Sequence, residues 1–125
     1  MKQSKIIQAY KAIGKLYGQK LPLTISHKLW MLKQKLAPTW DFQIDKEQEM
    51  IMKFNPVFGE NGQITFENDE VANQCRTEYN KLCNEMGEIE VDLGDYEKIA
   101  IKLDDKLELS IGDIDALSEF IDFTE

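Results

Sequence analysis

Apolar side chains recur every three or four residues near the start of the chain, which is the spacing of one face of an α-helix. This stripe consists of Ile6, Tyr10, Ile13 and Tyr17. Ser4 stands where an N-cap is expected, and Gly18 stands where a helix commonly ends. The pattern therefore predicts a first amphipathic helix over residues 4–18.

A second stripe with the same period follows Pro22, a residue that suits a first helical turn. It consists of Ile25, Leu29, Leu32 and Leu36. Pro38 lies inside the pattern, where it removes a helical hydrogen bond and clashes with the preceding turn. We therefore predict a long second helix that is kinked or broken near residues 35–37 and closes at Asn55-Pro56.

The strongest turn signal in the chain is Asn61-Gly62, a pair that suits the backbone of a tight hairpin turn. Residues 57–58 and 64–66 flank this pair and predict two short antiparallel strands. Residues 68–86 then have helical periodicity and begin with two residues that can cap a helix. A hairpin followed by a third helix is the expected result.

Strict alternation of polar and apolar residues marks EIEVDL (residues 88–93) and KIAIKL (residues 98–103) as half-buried strands, and LELS (residues 107–110) continues the pattern. Ser110 and Asp113 have the spacing of a capping box, which predicts a last helix reaching Ile121.

These elements together predict an α+β fold that is mainly helical, with a long kinked second helix and a small antiparallel sheet in the C-terminal half. The length of 125 residues fits a single domain over residues 1–125.

Charge divides this domain into two parts. Residues 1–37 hold eight of the fifteen basic residues and none of the 23 acids, so this helical part carries +8. Residues 38–125 hold the other seven bases and all the acids, so this α+β part carries −16, and the whole chain carries −8. A long nucleic-acid duplex is a poor partner for such a chain, because the acidic part would repel it.

Several short motifs follow one another in a familiar order. A Lys-rich first helix precedes KLP at residues 20–22, ENG follows at residues 60–62, and LELS opens the segment of residues 107–121. In this layout the chain resembles small proteins from phages and prophages of Gram-positive gut bacteria, over nearly its whole length. Pro38 departs from the uninterrupted Glu/Lys-rich helix of that group. The resemblance implies a phage or prophage origin and provides no catalytic residues.

Recognisable catalytic chemistry is missing from the sequence. It contains a single histidine, His27, and no phosphate-binding loop, dinucleotide fingerprint or nucleophile elbow. Cys75 and Cys83 lack metal-ligand spacing and are interpreted as reduced core residues. The acidic runs at residues 45–49 and 92–97 match no calcium loop and are interpreted as solvated surface. We predict no enzyme activity, no metal and no cofactor.

The second helix has candidate binding residues on the side opposite its leucine stripe. An advance of about 100° per residue places His27, Trp30 and Met31 together on that side, with Lys28, Lys33 and Lys35 beside the stripe. Three interpretations follow: the chain covers this face itself and its acids neutralise the lysines; Trp30 and Met31 form a protein interface; or the lysines and His27 bind a phosphate or nucleotide with an aromatic ring stacked on the base.

The sequence therefore predicts a non-enzymatic interaction protein of phage type. Its expected partner is a host or phage protein or a second copy, in an assembly or anti-defence role. A counter-defence protein that sequesters a small anionic ligand such as a nucleotide is the alternative, and an acidic mimic of nucleic acid is another. No segment has the length and apolar character of a membrane span or a signal peptide. The expected location is the host cytoplasm, with the virion as the alternative.

Overall fold

Helices form most of the protein. A computed structural model describes residues 1–103 and 107–124, and this part of the chain contains four α-helices and four short strands. In chain order they are α1 (Gln3–Leu16), α2 (Leu23–Met52), β1 (Val57–Phe58), β2 (Ile64–Thr65), α3 (Asp69–Gly87), β3 (Ile99–Lys102), α4 (Ile111–Leu117) and β4 (Ile121–Thr124). The predicted α+β class, the long second helix and a small antiparallel sheet are confirmed, and a parallel strand pair lies near the end of the chain.

The second helix does not end at Pro38. It runs for 30 residues through this position, so the predicted break is wrong, while the predicted bend stays a prediction. Packing on both sides of the proline explains the continuity: Leu36 is fully buried, and the Trp40 ring stacks on Tyr10 with 4.7 Å between ring centroids. Gln34, whose carbonyl loses its partner at Pro38, is an exposed residue, so water can hydrogen-bond this group.

The start of α1 is held by a segment far along the chain. Its N-cap is Lys2, so the predicted Ser4 cap is wrong. The backbone N–H of Gln3 donates to the carbonyl of Ile89 over 2.8 Å, and Lys2 forms an isolated antiparallel bridge with Glu90. The strand predicted at residues 88–93 is therefore reduced to this one bridge. In the described chain the segment hydrogen-bonds to residues 1–3 and does not join a sheet.

Two local predictions are confirmed in the middle of the chain. The strands β1 and β2 pair as an antiparallel hairpin, and Gly62 in its turn has a φ of 73°, a conformation that glycine adopts without steric cost. The side chain of Asn68 caps α3 by accepting a hydrogen bond from the Val71 N–H over 2.9 Å. These signals are local, and local physics is sufficient to explain them.

The C-terminal segment differs most from the prediction. Ser110 and Asp113 form the predicted capping box, but α4 ends at Leu117 and residues 121–124 form β4. This strand lies parallel to β3, with Ile99 opposite Ile121. Residues 107–110 are not a strand. The helix is shorter than expected because the alternation of Ile121, Asp122 and Phe123 suits a strand as well as a helix, and β3 offers a partner.

The hydrophobic core lies where α1, one side of α2 and the segment from β3 to β4 meet. Its most deeply buried side chains include Ile6, Ile13, Leu16, Leu29, Leu36, Leu117, Phe120 and Ile121. Burial of one such side chain contributes about 1.5–3 kcal/mol to folding. Because α2 contributes its leucines from one side only, the other side of this helix remains open to solvent.

Candidate interaction face and cleft of the second helix

Lys2, the N-cap of α1, and two lysines within this helix are paired with acids of the C-terminal part. Lys2 lies 2.7 Å from Glu88, Lys5 lies 3.7 Å from Glu119, and Lys15 lies 2.8 Å from Asp113. The carboxylate of Asp113 also accepts the backbone N–H of Ser110, and these bonds to Lys15 and Ser110 hold its pKa below the usual value. Charge pairing within the chain therefore accounts for part of the basic character of this segment, whereas Lys11 lies over the Trp40 ring, with 5.9 Å between its Nζ and the ring centroid.

The lysines of α2 have a different environment. In residues 1–103 and 107–124, no carboxylate lies within 4.0 Å of the ammonium group of Lys28, Lys33 or Lys35. Lys33 instead lies over the ring of Tyr17, with 4.3 Å between its Nζ and the ring centroid. A cation–π contact of this kind contributes about 0.5–1 kcal/mol at an exposed site. Residues 23–37 of α2 thus keep a positive charge that no carboxylate within 4.0 Å in the described chain neutralises.

The exposed side of α2 forms one continuous strip along the helix. We call this strip the α2 outer face, and its members are Leu23, His27, Trp30, Met31, Gln34, Pro38, Asp41, Phe42, Asp45, Gln48, Glu49 and Met52. Leu23 is 85% exposed, Trp30 is 53% exposed and Met31 is 55% exposed. The rings of His27 and Trp30 stack at 6.1 Å between centroids, which gives this end of the face a flat aromatic surface.

A cleft lies beside the outer face, between α2 and the segment that leads into β3. It has a volume of about 510 Å³, and α2 contributes Lys28, Met31 and Lys35 to its walls. The opposite wall consists of residues 95–99. Lys35 is fixed there, because its Nζ donates to the backbone carbonyl of Asp95 over 3.2 Å.

The six residues predicted as a site are therefore divided among three surfaces. His27 and Trp30 lie on the α2 outer face, and Met31 lies on the edge between this face and the cleft. Lys28 and Lys35 line the cleft, whereas Lys33 turns toward the tyrosines of α1. The helical period correctly separated the exposed side from the leucine side. It had no information on the segment of residues 95–99, which comes to α2 only through the fold.

A polar network between α1, α2 and α3 was not predicted. The amide of the buried Gln3 donates to Gln43 over 3.0 Å, and Gln43 in turn donates to Glu47 Oε1 over 3.4 Å. The same Oε1 atom accepts the Tyr79 hydroxyl at 3.1 Å and the Cys83 thiol at 3.3 Å. The sequence signal for this network was two pairs of residues at i, i+4 spacing, Gln43 with Glu47 on α2 and Tyr79 with Cys83 on α3.

The hydroxyl and thiol groups of this network have raised pKa values. Burial raises the pKa of the Tyr79 hydroxyl, and the hydrogen bond to the Glu47 carboxylate raises it further. Burial and the same carboxylate also raise the pKa of the Cys83 thiol, and burial raises the pKa of the Cys75 thiol. Both cysteines are free, and at neutral pH they are protonated thiols rather than nucleophilic thiolates.

Metal-binding clusters and membrane-spanning helices are absent from the described part of the chain. Within residues 1–103 and 107–124, no three His, Cys, Asp or Glu side chains lie close enough together to hold a metal ion. Over the same residues, no helix combines the length and apolar character that a bilayer crossing requires. Comparisons with protein-family models, with curated proteins and with solved structures found no match.

Proposed function

We propose that this chain is a non-enzymatic interaction protein of phage or prophage origin, which binds other protein surfaces through its helices. The observation that carries this proposal is the exposure of Trp30 and Met31, each more than half open to solvent beside Leu23. Exposed large apolar side chains in a contiguous strip are typical of interfaces, and tryptophan is enriched among residues that dominate binding energy. The phage or prophage origin is supported by the order of sequence motifs.

Binding fits the chemistry of the chain better than catalysis does. Its thiols have raised pKa values, so they are poor nucleophiles at neutral pH. Its histidine stacks on Trp30, and within residues 1–103 and 107–124 no carboxylate lies within 4.0 Å of the imidazole to orient it as a base. We place the protein in the host cytoplasm, in an assembly or anti-defence role with a host or phage protein as partner.

The double substitution Trp30→Ala/Met31→Ala tests this function. Both side chains are exposed, so the variant is expected to fold, with a circular dichroism spectrum and melting temperature close to those of the parent. Loss of a dominant interface residue costs about 2 kcal/mol or more, which is a loss of about 30-fold in affinity. We expect affinity purification from infected or expressing cells, followed by mass spectrometry, to recover a protein with the parent and not with this variant.

A matched control removes an exposed apolar side chain outside α2. Ile111 is 89% exposed, so Ile111→Ala removes a comparable apolar surface and is expected to retain the partner. The proposal fails if the double variant recovers the same proteins in the same amounts as the parent and also has the same self-association in sedimentation experiments up to high micromolar concentration.

The cleft favours a second candidate function, the sequestration of a small anionic ligand such as a nucleotide. Lys28, Lys35 and Lys98 converge on it, and the half-exposed ring of Tyr96 offers a stacking surface. Two acids, Asp95 and Glu97, also line the cleft, so its formal charge is +1. A ligand with an anionic group and an aromatic ring fits this combination better than a bare polyanion does.

Thermal-shift measurements with mono- and cyclic nucleotides test this second function. A ligand at one hundred times its dissociation constant adds about 2.7 kcal/mol to the free energy of unfolding, so the melting temperature should rise clearly. We expect Lys28→Gln to reduce this shift, and Lys20→Gln, which changes an exposed lysine outside the cleft, to retain it. An unchanged melting temperature with every nucleotide at millimolar concentration would exclude this function.

A further inference from the structure

The charges of α2 are divided at its centre. Residues 23–37 of this helix carry three lysines and no acid, which gives a formal charge of +3. Residues 38–52 carry four acids and one lysine, which gives a formal charge of −3. Lys33 turns toward Tyr17 and Glu47 faces α3, so neither charge lies on the outer face. The outer face and its edges carry +2 over residues 23–37, from Lys28 and Lys35, and −2 over residues 38–52, from Asp41, Asp45, Glu49 and Lys46. The two halves have equal length, so this surface is electrostatically complementary to itself when it is reversed.

Exposed apolar side chains occur on the outer face of both halves. Leu23, Trp30 and Met31 lie on the basic half, whereas Phe42 and Met52, which are 45% and 56% exposed, lie on the acidic half. At 1.5 Å per residue they are spread over a helix of about 45 Å. A partner that covers this face must therefore be long, must offer apolar contacts throughout, and must place opposite charges at its two ends.

A reversed copy of α2 meets all three conditions. We propose that a second copy of this chain covers the α2 outer face, with the two α2 helices antiparallel about a twofold axis near their centres, between Gln34 and Pro38. This inference rests on the proposed function and names the partner of the face. A twofold axis uses the same patch on both copies, so a patch that is complementary to its own reverse is sufficient to build the interface.

The geometry of this pairing follows from the helix centre. Leu23 of each copy lies beside Met52 of the other, and Trp30 and Met31 lie within about one turn of Phe42 of the other. Lys28 and Lys35 of each copy, which flank the outer face, lie toward the acidic half of the other copy, which includes Asp41 and Asp45. A parallel arrangement instead brings +2 against +2 and −2 against −2 on these surfaces, which like-charge repulsion disfavours.

Charge reversal distinguishes these arrangements. In Lys28→Glu/Lys35→Glu the basic half becomes acidic, and in Asp41→Lys/Asp45→Lys the acidic half becomes basic. We expect the parent to sediment as a dimer, each reversed variant alone to dimerise at least about tenfold more weakly, and an equimolar mixture of the two variants to form a heterodimer. Formation of the heterodimer also demonstrates that both variants are folded.

A control separates this local effect from a change in net charge. Lys20→Glu/Lys102→Glu makes the same change in net charge at exposed lysines outside α2, and we expect it to dimerise like the parent. A parent that remains monomeric at high micromolar concentration would overturn the inference. A dimer that neither reversed variant weakens would overturn it as well. So would a dimer that Lys28→Glu/Lys35→Glu strengthens, because that result indicates relief of repulsion in a parallel pair.

Failure of this inference differs from failure of the proposed function. If the parent is monomeric but the Trp30→Ala/Met31→Ala variant no longer recovers a partner protein, the proposed function stands and only the dimer is rejected. If the double variant changes neither self-association nor the recovery of any protein, both the proposed function and the dimer are rejected.

Discussion

At the scale of single residues, one carboxylate oxygen joins α2 to α3. Glu47 Oε1 accepts hydrogen bonds from the side chains of Gln43, Tyr79 and Cys83, and Gln43 extends the network to the buried Gln3 of α1. A carboxylate can accept several hydrogen bonds and donates none when ionised, so it suits a place where several donors converge. Glu47 therefore has a structural role that its position in an acidic run conceals.

Removal of this acceptor should destabilise the protein. Glu47→Ala leaves the Tyr79 hydroxyl without its partner in a half-buried site, and an unsatisfied donor costs about 1–3 kcal/mol. We expect urea denaturation to show a free energy of unfolding lower by about 2 kcal/mol, and a smaller loss for Glu47→Gln, which keeps one acceptor oxygen. Gln48→Ala, at an exposed position on the same helix, should change it by less than about 0.5 kcal/mol. Equal effects at the two positions would contradict this role.

The ion pair of Asp113 with Lys15 makes stability depend on pH in the acidic range. The pKa of Asp113 is lowered in the folded protein, first by Lys15 and then by the Ser110 N–H, from an unfolded value of about 3.9. A lowered pKa stabilises the fold above the unfolded value, and this stabilisation is lost as pH falls through the folded value. We expect the free energy of unfolding, measured from pH 6 down to pH 2, to fall less steeply below about pH 4 in Asp113→Asn than in the parent.

The neighbouring acid provides the control for this titration. Asp115 is exposed, and Asp115→Asn should retain the parent's dependence on pH. If Asp113→Asn and the parent lose stability in parallel below pH 4, the ion pair makes no contribution to folding.

At the scale of elements, α2 is a helix with two functions on opposite sides. Its Leu29, Leu32 and Leu36 side belongs to the core, and its outer side is exposed and is the surface that we propose for binding. Its length also matters, because a helix that ended at Pro38 would not join the basic half to the acidic half. The continuity through Pro38 therefore matters for the proposed interaction surface as well as for the fold.

Replacement of Pro38 should make this helix more stable. An interior proline costs about 3 kcal/mol relative to alanine, and its loss returns about 0.4–1 kcal/mol of entropy to the unfolded chain. Pro38 is exposed, so Pro38→Ala creates no cavity, and we expect the free energy of unfolding to rise by about 2 kcal/mol in urea denaturation at low protein concentration. Gln34→Ala on the same face should have little effect. An unchanged or lower stability in Pro38→Ala would show that the fold depends on a bend at this residue.

Most features set by local chemistry could be predicted from the sequence, whereas the pairing of distant segments could not. The Asn61-Gly62 turn and the Asn68 cap depend on residues within a few positions of each other. The strand β4 depends on β3, which lies about twenty residues earlier, and its apolar residues fit a helix equally well without that partner. The same reason explains the candidate site, since periodicity identified the exposed Trp30 but not the wall of residues 95–99.

At the scale of the whole molecule, the division of charge along the chain is used in two ways. Lys2, Lys5 and Lys15 pair with Glu88, Glu119 and Asp113, so they join the first helix and its N-cap to later parts of the chain. In residues 1–103 and 107–124, Lys28, Lys33 and Lys35 of α2 have no carboxylate within 4.0 Å. Exposed ion pairs contribute little to stability individually, so each of these pairs adds only a little to the free energy of unfolding.

Hydrogen exchange should show this organisation as a gradient of protection. All four residues of β1 and β2 are exposed, whereas the central part of α1 and alternate residues of β3 are buried in the core. We expect mass spectrometry to show fast exchange for the amides of residues 57–66 and the slowest exchange in α1. Equal protection of the hairpin and α1 would mean that another surface covers the hairpin in solution.

The two tryptophans have environments so different that they act as separate optical reporters. Trp40 is half-buried, stacked on Tyr10 and close to Lys11, whose Nζ lies 5.9 Å from the indole ring, so its emission should change when α1 separates from α2. Trp30 is open to solvent beside His27. A surface that binds the α2 outer face removes Trp30 from water, so binding should shift the emission of Trp30 and leave that of Trp40 unchanged.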